Sequence, residues 1–222
     1  MFRAEWDAAR STWAIVDPIL YTATPEEPVQ RLIEEMPSAF GALVRAILHQ
    51  QVSTAAGRAI VSRLAAACSG TVEPEQVLRL TASDLRSAGL STRKAYYVRI
   101  LAERKDVLAD IERHENQEVV RRLVDVPGIG VWTAKMFLIF HLGRVDVFSG
   151  ADLGLREGIR ILDQRTEPPT PAEAETRAEP WTPYRSVAAV VLWDLTRRDR
   201  ALRKPQMSAD KVSTTGGSRR SG

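Results

Sequence analysis

The stretch that decides the fold is VDVPGIGVWTAKMF, residues 124–137, where a Pro-Gly-Ile-Gly turn leads directly into an apolar, helix-compatible segment. Gly128 and Gly130 are free to take positive φ and to let a second backbone approach closely. A helix that begins after the turn points its unpaired N–H groups and the positive end of its dipole outward, which suits a phosphate. The alternative is a plain connection between two packed helices, and the turn alone leaves both open.

Sequence on either side of this turn also has helical patterns. Residues 40–50 place apolar side chains at i, i+3, i+4, i+7 and i+8, the spacing of one helix face. Four positions match helix N-caps by residue type: Ser53, Thr81, Ser91 and Thr170. Residues 144–150 alternate like a strand, but the stretch is too short and isolated to build a sheet. We therefore predict an all-α fold.

The composition is that of an ordinary soluble chain with a single cysteine. Of its 222 residues, 44% are hydrophobic and 27% are charged. No run approaches the roughly 18 apolar residues of a membrane span, and the N-terminus shows no export signal. Cys68 alone cannot form an internal disulfide, a zinc site or an iron–sulfur cluster. We expect an intracellular protein, cytoplasmic and close to the nucleoid in a bacterium, or nuclear in a eukaryote.

The net charge of +3 arises near the C-terminus. Residues 196–222 contain eight Lys or Arg and two Asp, net +6, whereas the rest of the chain has 23 basic and 26 acidic residues, net −3. A basic tail binds many anions, so the overall charge does not by itself indicate nucleic acid. Residues 201–222 are rich in Ser, Thr, Gly, Lys and Arg without apolar periodicity, which predicts a disordered tail.

Several side chains near the turn are candidates for chemistry, and each also has an ordinary structural interpretation. Trp132 and Met136 share one helix face, where core packing is the alternative. Asp152 precedes LGLREG and could be only a helix N-cap. Gln50 and Gln51 end an amphipathic segment, where amides often face solvent. The three histidines lack metal-ligand spacing, and no catalytic triad or phosphate-binding loop of the GxxxxGK type occurs.

Four segments taken together resemble the helix-hairpin-helix (HhH-GPD) DNA glycosylases, specifically the 3-methyladenine DNA glycosylase II type. In the family's order they are RAILHQQVSTAAGRAI (45–60), GLSTRKAYYVRILAE (89–103), the stretch from VPGIGVW to GLREG (126–158) and PWTPYRSVAAVVLW (180–193). The resemblance implies a glycosylase domain over 1–200 with its active site in a cleft between two lobes. Lobe one would span about 40–145, and lobe two about 1–39 plus 146–200. The chain corresponds to the family's short form, without an extra N-terminal domain.

The resemblance also assigns roles to individual residues. By the family's pattern, Asp152 is the catalytic carboxylate and Gln51 is the wedge that fills the gap left by the flipped base. Trp132, Met136 and Trp193 fall at positions that line the base pocket. The residues implied to bind a DNA phosphate are Pro127, Gly128, Ile129, Gly130 and Thr133.

The family pattern further implies how the hairpin is held and what binds it. The backbone carbonyls of Val124, Val126 and Ile129 would hold a monovalent cation, Na⁺ or K⁺. No iron–sulfur cluster and no other cofactor is expected. The expected partner is double-stranded damaged DNA, bound by a monomer away from any membrane.

The residue types fit the removal of a cationic alkylated purine. Cleavage of an N-glycosidic bond builds positive charge on the sugar, and the Asp152 carboxylate would stabilise that charge or activate a water. Purines such as 3-methyladenine and 7-methylguanine already carry a positive charge in the nucleotide, which suits an aromatic pocket, and the enzyme then needs little acid catalysis. The target nucleotide must be rotated out of the duplex to be reached.

Trp132 argues for a monofunctional enzyme. In bifunctional relatives the second residue after the G-x-G turn is a lysine that forms a Schiff base, whereas here Lys135 comes three residues after Trp132. Met136 stands where relatives often carry Tyr, which affects the polarity of the pocket. The alternatives left open are a glycosylase for oxidised or deaminated bases, with or without lyase activity, and a non-catalytic DNA-binding module. The Pro-rich connection 164–183 has no assigned role.

Overall fold

The computed structural model describes residues 2–29 and 38–203, and all regular structure within those ranges is helical, which confirms the all-α prediction. The α-helices are α1 (Arg3–Val16), α2 (Pro18–Ala23), α3 (Ala39–His49), α4 (Thr54–Ala67), α5 (Pro74–Arg79), α6 (Ala82–Ser87), α7 (Thr92–Glu103), α8 (Asn116–Val124), α9 (Val131–Phe140), α10 (Leu153–Leu162), α11 (Pro171–Ala178) and α12 (Arg185–Arg203). Short 3-10 turns cover Lys105–Leu108, Ile111–Arg113 and Glu179–Trp181. None of the helices in the described ranges combines the length and the apolar character that a membrane span needs.

The predicted helix caps are in place. The side chains of Ser53, Thr81, Ser91 and Thr170 each accept a hydrogen bond from the backbone N–H three residues later. Thr81 and Thr170 form full capping boxes with Asp84 and Glu173. Each cap contributes about 1 kcal/mol by satisfying N–H groups that the helix itself leaves open.

The helices pack in two groups. In the first group α3 contacts α4, α7 and α9, while α5 and α6 pack on α7, and α8 packs on α9. In the second group α10 contacts α11 and α12, and the N-terminal helices α1 and α2 contact α12 and α10. Helices α3 to α9 thus fall in the range predicted for lobe one, and the others in the ranges predicted for lobe two. Residues 30–37, near the predicted boundary, lie outside the described residues.

The N-terminal helix α1, which the sequence patterns did not single out, is anchored in the second group. Trp6, Ala9 and Trp13 follow helical spacing and are buried. At the end of α1, Asp17 accepts a hydrogen bond from the indole N–H of Trp181 at 2.7 Å and pairs with the guanidinium of Arg177. Burial alone would raise the pKa of Asp17, but these donors bring it below its usual value. The first helices are therefore tied to the Pro-rich connection.

The C-terminal boundary differs slightly from the prediction. Helix α12 continues through Arg203, so disorder predicted from residue 201 is wrong for 201–203. An ion pair between Arg203 Nε and Asp199 Oδ2, 2.8 Å apart and one helical turn apart in sequence, supports this last turn. The remaining tail, 204–222, lies outside the described residues.

Candidate active site

A cleft of about 930 Å³ is lined by residues from both groups of helices. Four of the side chains on its wall are basic, namely Arg45, Arg58, Arg93 and Lys94. Among the described residues that line the cleft, Asp152 is the one carboxylate. A cleft whose walls carry mostly positive charge attracts a polyanion, although the chain without its tail is net negative.

The Asp152 carboxylate is held by three N–H donors. As the N-cap of α10, its Oδ1 accepts from Leu155 N at 2.8 Å, and the same oxygen accepts from Trp193 Nε1 at 3.1 Å. Oδ2 accepts from Trp132 Nε1 at 2.7 Å. An ionised carboxylate only accepts hydrogen bonds, so three donors match that form. The N-cap interpretation and the catalytic interpretation of Asp152 are therefore compatible, because one side chain serves both.

Two glycines on α10 explain how Trp193 reaches Asp152. A Cβ added to Gly158 would lie 2.6 Å from the carbonyl oxygen of Leu192, so a side chain there would push α12 away. A Cβ added to Gly154 would lie 3.0 Å from both Trp193 Cδ1 and Asp152 Oδ1. The close approach of α10 and α12, which needs small residues spaced by four, thus places an indole of α12 against the carboxylate.

Helix α9 contributes five residues to the cleft lining, among them Trp132, Met136 and Phe140. Trp132 is 45% exposed, whereas Met136 below it on the same face is buried. One turn further, Phe140 stacks on Trp193 with ring centroids 5.3 Å apart and planes at 28°. The predicted pocket residues Trp132, Met136 and Trp193 thus line one wall with Asp152. Phe140 was missed, although its spacing of i+8 from Trp132 was a signal.

His141 is a second pocket residue that the sequence patterns did not single out. Its ring stacks on Phe137 with centroids 5.0 Å apart and an interplanar angle of 26°, and both side chains line the cleft. Burial lowers the pKa of His141, which favours the neutral imidazole. This part of the wall therefore presents aromatic surface without an added positive charge at neutral pH.

The Pro-Gly-Ile-Gly turn joins α8 to α9, and its two glycines differ. Gly128 has φ of +91°, and a Cβ there would lie 2.4 Å from the Tyr97 ring, so glycine is needed for both conformation and space. Gly130 does not use positive φ, since its φ is −93° as the N-cap of α9. A Cβ at Gly130 would meet no atom within 4 Å, which shows that this side of the turn is open.

The start of α9 offers main-chain donors at this open side. In the described ranges no side chain caps the helix, and its first intrahelical bond runs from Ala134 N to Gly130 O, so the preceding N–H groups point outward. Thr133, predicted to bind DNA, is only 4% exposed, and Ile129 is also buried. Their contribution to an anion site would come from the backbone. The exposed residues of the turn are Pro127 and Gly130.

The carbonyls expected to hold a cation lie around the same turn. The carbonyl of Val126 accepts from Ile129 N at 3.1 Å and still has a second lone pair. Val124 is the last residue of α8. Within the described part of the chain, no group of three or more His, Cys, Asp or Glu side chains could hold a metal ion.

Gln51 lies on a loop whose backbone is fixed from two sides. Lys94 Nζ donates to the carbonyls of Leu48 at 2.6 Å and Gln50 at 2.8 Å, at the negative end of the α3 dipole. Burial lowers the pKa of Lys94. The Gln50 side chain donates from Nε2 to Gly128 O at 2.9 Å, which links this loop to the turn. Gln51 itself has φ of +56°, is exposed and lines the cleft.

Lys135 lies outside the cleft wall. Its Nζ is 3.2 Å from Glu175 Oε1 on α11, and it is absent from the residues that line the cleft. The lysine closest in sequence to the position that a lyase would use is therefore paired with Glu175 and does not line the cleft.

Comparison with known proteins gives consistent matches. The family model described as "HhH-GPD superfamily base excision DNA repair protein" matches residues 44–183. DNA-3-methyladenine glycosylase 1 of Schizosaccharomyces pombe is 32% identical over 162 residues, covering 70% of this chain and 71% of the relative. A solved structure of the S. pombe 3-methyladenine DNA glycosylase with abasic DNA has a TM-score of 0.74 at 29% identity, covering 84% of this chain and 95% of that one.

A second solved structure, the DNA-3-methyladenine glycosidase from Bacillus halodurans, has a TM-score of 0.75 at 31% identity. The match covers 87% of this chain and 91% of that chain. The similarity therefore extends over almost the whole of the two solved relatives, and the resemblance inferred from the four sequence segments is confirmed.

Proposed function

Because this chain belongs to the HhH-GPD superfamily of base excision DNA repair proteins, we propose that it is a monofunctional DNA glycosylase for alkylated purines. It flips out a base of the 3-methyladenine or 7-methylguanine type and hydrolyses the N-glycosidic bond, leaving an abasic site. The observation that carries this proposal is the Asp152 carboxylate, held by the indole N–H groups of Trp132 and Trp193 in an aromatic cleft.

The cleft favours a positively charged base. The indole of Trp132 and the stacked pair of Phe140 and Trp193 offer π-faces, and a cation over such a face gains roughly 0.5–2 kcal/mol. A neutral His141 adds surface without repelling the cation. An unmodified base lacks the charge and also costs more to flip out of its pair.

Asp152 acts on the sugar as the bond breaks. In a cationic N-alkylpurine the electron pair of the C1′–N bond returns to the ring, so the base leaves neutral and needs no proton. Positive charge then grows on the sugar, where the fixed carboxylate of Asp152 stabilises it. Water adds its oxygen to C1′ and loses a proton, which the carboxylate can accept because its three protein donors leave a lone pair open.

The arrangement of α9 supports hydrolysis rather than strand cleavage. A lyase needs an amine close to C1′ to form a Schiff base. Trp132 occupies the position where bifunctional relatives carry that lysine, and Lys135 is paired with Glu175 away from the cleft. Water is then the available nucleophile.

DNA would be held along the rim of the same cleft. The free N–H groups at the start of α9 bind one backbone phosphate, and a Na⁺ or K⁺ at the carbonyls of Val124, Val126 and Ile129 would steady the turn. Gln51 fills the space that the flipped base leaves. We further propose that the protein acts as a monomer, without a cofactor, where chromosomal DNA is found.

Base release from methylated DNA tests the proposal. The protein is incubated with duplex DNA treated with a methylating agent, and the free bases are separated and identified. We expect 3-methyladenine or 7-methylguanine, and a loss of at least about 100-fold in the rate for Asp152→Asn. Asparagine is also a good N-cap, so the variant should fold. Asp199→Asn, on α12 outside the cleft lining, is the matched control.

Three outcomes would contradict parts of the proposal. Release of oxidised or deaminated bases, with methylated purines left in the DNA, would mean that the substrates are oxidised or deaminated bases and not alkylated purines. A covalent adduct between the protein and abasic DNA, trapped with borohydride, would show that an amine attacks instead of water. Equal release by wild type and Asp152→Asn would remove the catalytic assignment.

A further inference from the structure

The Pro-rich connection 164–183 contributes a carboxylate to the loop that carries Asp152. Glu175, in the middle of α11, accepts a hydrogen bond at Oε1 from Gly150 N at 2.8 Å. Gly150 is buried, and a Cβ there would lie 2.2 Å from the carbonyl oxygen of Pro171. The loop before Asp152 therefore lies directly on the first turn of α11.

This hydrogen bond acts on a tight turn. Asp152 N donates to Ser149 O at 2.9 Å, so the turn 149–152 is closed by its own backbone. Gly150 lies inside that turn, and its buried N–H finds its partner in Glu175. A buried N–H without a partner is unfavourable, so the loop would move to find another acceptor if the carboxylate were removed. Since Asp152 closes the same turn, such a movement displaces its carboxylate.

The same oxygen of Glu175 also holds α9. Lys135 Nζ is 3.2 Å from Oε1, and Lys135 lies three residues after Trp132 on that helix. The side chains of Lys135 and Glu175 are 27% and 43% exposed, so the pair contributes little stability by its charges alone. Its effect is geometric, because one oxygen links α9 to the turn that carries Asp152. Trp132 and Asp152 share a hydrogen bond in the cleft. Through Lys135, Glu175 and Gly150, the segments that carry them are also linked outside the cleft lining.

We propose that Glu175 is a positioning residue that sets the distance between Asp152 and the reacting sugar. It acts through the buried N–H of Gly150 and the ammonium of Lys135, and it does not line the cleft itself. The inference rests on the proposed function, in which Asp152 stabilises the charge on the sugar.

The test compares Glu175→Ala and Glu175→Gln with Glu179→Ala, an exposed glutamate next to the end of α11. Single-turnover release of 3-methyladenine is measured with the enzyme in saturating excess over methylated duplex DNA. Misplacing a catalytic group by about 1 Å can cost 100-fold, so we expect Glu175→Ala to lose roughly 10-fold to 100-fold in this rate. Its Kd for DNA should stay that of wild type. Glu175→Gln keeps an acceptor for Gly150 and should be closer to wild type, and Glu179→Ala should not change the rate.

An independent measurement reports the position of Asp152 without catalysis. The indole N–H resonances of Trp132 and Trp193 in an ¹H–¹⁵N spectrum depend on their hydrogen bonds to Asp152. Glu175→Ala should shift both, and Glu179→Ala should shift neither. Thermal unfolding of each variant shows whether it is folded, and Glu175→Gln provides the comparison if the alanine variant is not.

The outcomes separate the two proposals. A slower rate with unshifted indole signals, or shifted signals with an unchanged rate, would overturn the positioning role. If the wild type releases no methylated base but the indole signals still shift in Glu175→Ala, the link from Glu175 to Asp152 stands and the proposed function fails.

Discussion

The two ends of the cleft hold their key residues in opposite ways. At one end the Asp152 side chain accepts three hydrogen bonds, and the residue is only 8% exposed. At the other end the backbone around Gln51 is fixed by Lys94 and by the Gln50 amide, while the Gln51 side chain is exposed. In the first case the functional side chain is itself fixed, whereas in the second only the backbone that carries the side chain is fixed.

The difference follows from what each residue is proposed to do. A carboxylate that stabilises a developing charge must already lie at the right distance before the reaction, because any reorganisation during the reaction adds to the barrier. A wedge enters the duplex only when a base has left, so its side chain must change rotamer while its starting point stays constant. Asp152 accordingly has a fixed side chain, and Gln51 has a fixed backbone.

After the loss expected for Asp152→Asn, the largest effect should come from removing the side-chain donors to Asp152 while keeping its carboxylate. Trp132→Phe with Trp193→Phe keeps two aromatic rings but deletes both indole donors to Asp152. We expect the single-turnover rate of base release to fall roughly 10-fold to 100-fold, since a misplaced carboxylate stabilises the sugar poorly. Each single variant should lose less than the pair.

The control for this experiment is a tryptophan remote from Asp152. Trp181→Phe removes an indole donor to Asp17 instead and should lower stability without slowing release by the folded enzyme. An unchanged rate in the double variant would mean that the cap at Leu155 N is enough to fix Asp152.

A smaller effect is expected at the Gln51 end. Lys94→Met keeps the apolar stem but deletes the donors to the carbonyls of Leu48 and Gln50. The loop should become less ordered, so duplexes containing 2-aminopurine as a fluorescent reporter should show a smaller flipped fraction, by a few-fold at about 1 kcal/mol per lost bond. The rate at which a base that is already flipped out is released should be unaffected.

Arg93→Met separates this loop effect from lost charge. Arg93 is adjacent in sequence and also lines the cleft, so its removal costs the same positive charge without touching the loop. Equal flipping defects in the two variants would show that Lys94 acts on the DNA phosphates. Its hydrogen bonds to the loop before Gln51 would then have no role in flipping.

Local features of the fold and of the site were predictable from the sequence. The caps at Thr81 and Thr170, the positive φ of Gly128 and the N-cap at Asp152 all depend on residues within a few positions along the chain. The spacing of Trp6 and Trp13 would have revealed α1, had the charged residues between them not obscured its apolar face.

The contacts that make the site specific could not be read from the sequence. Trp193 reaches Asp152 across 41 residues, and Gln50 reaches the carbonyl of Gly128 across 78. Helix packing alone decides such pairings, and that packing depends on close approaches such as Gly158 against α12. The sequence therefore predicted several residues that line the cleft, such as Trp132 and Asp152, but neither Phe140 and His141 nor the atoms that hold Asp152 in place.

The smallest expected effect is at His141, which lines the cleft. Burial lowers the pKa of His141 in the folded protein, whereas in the unfolded chain it is about 6.5. As the pH falls through the unfolded value, the unfolded state binds the proton first, so the stability present above that pH is progressively lost. The midpoint of urea unfolding should therefore drop less between pH 7.5 and pH 5.5 in His141→Phe than in wild type. His114→Phe serves as the control, and an equal drop in all three proteins would mean that other groups cause the acid sensitivity and that the wall tolerates a charged imidazole.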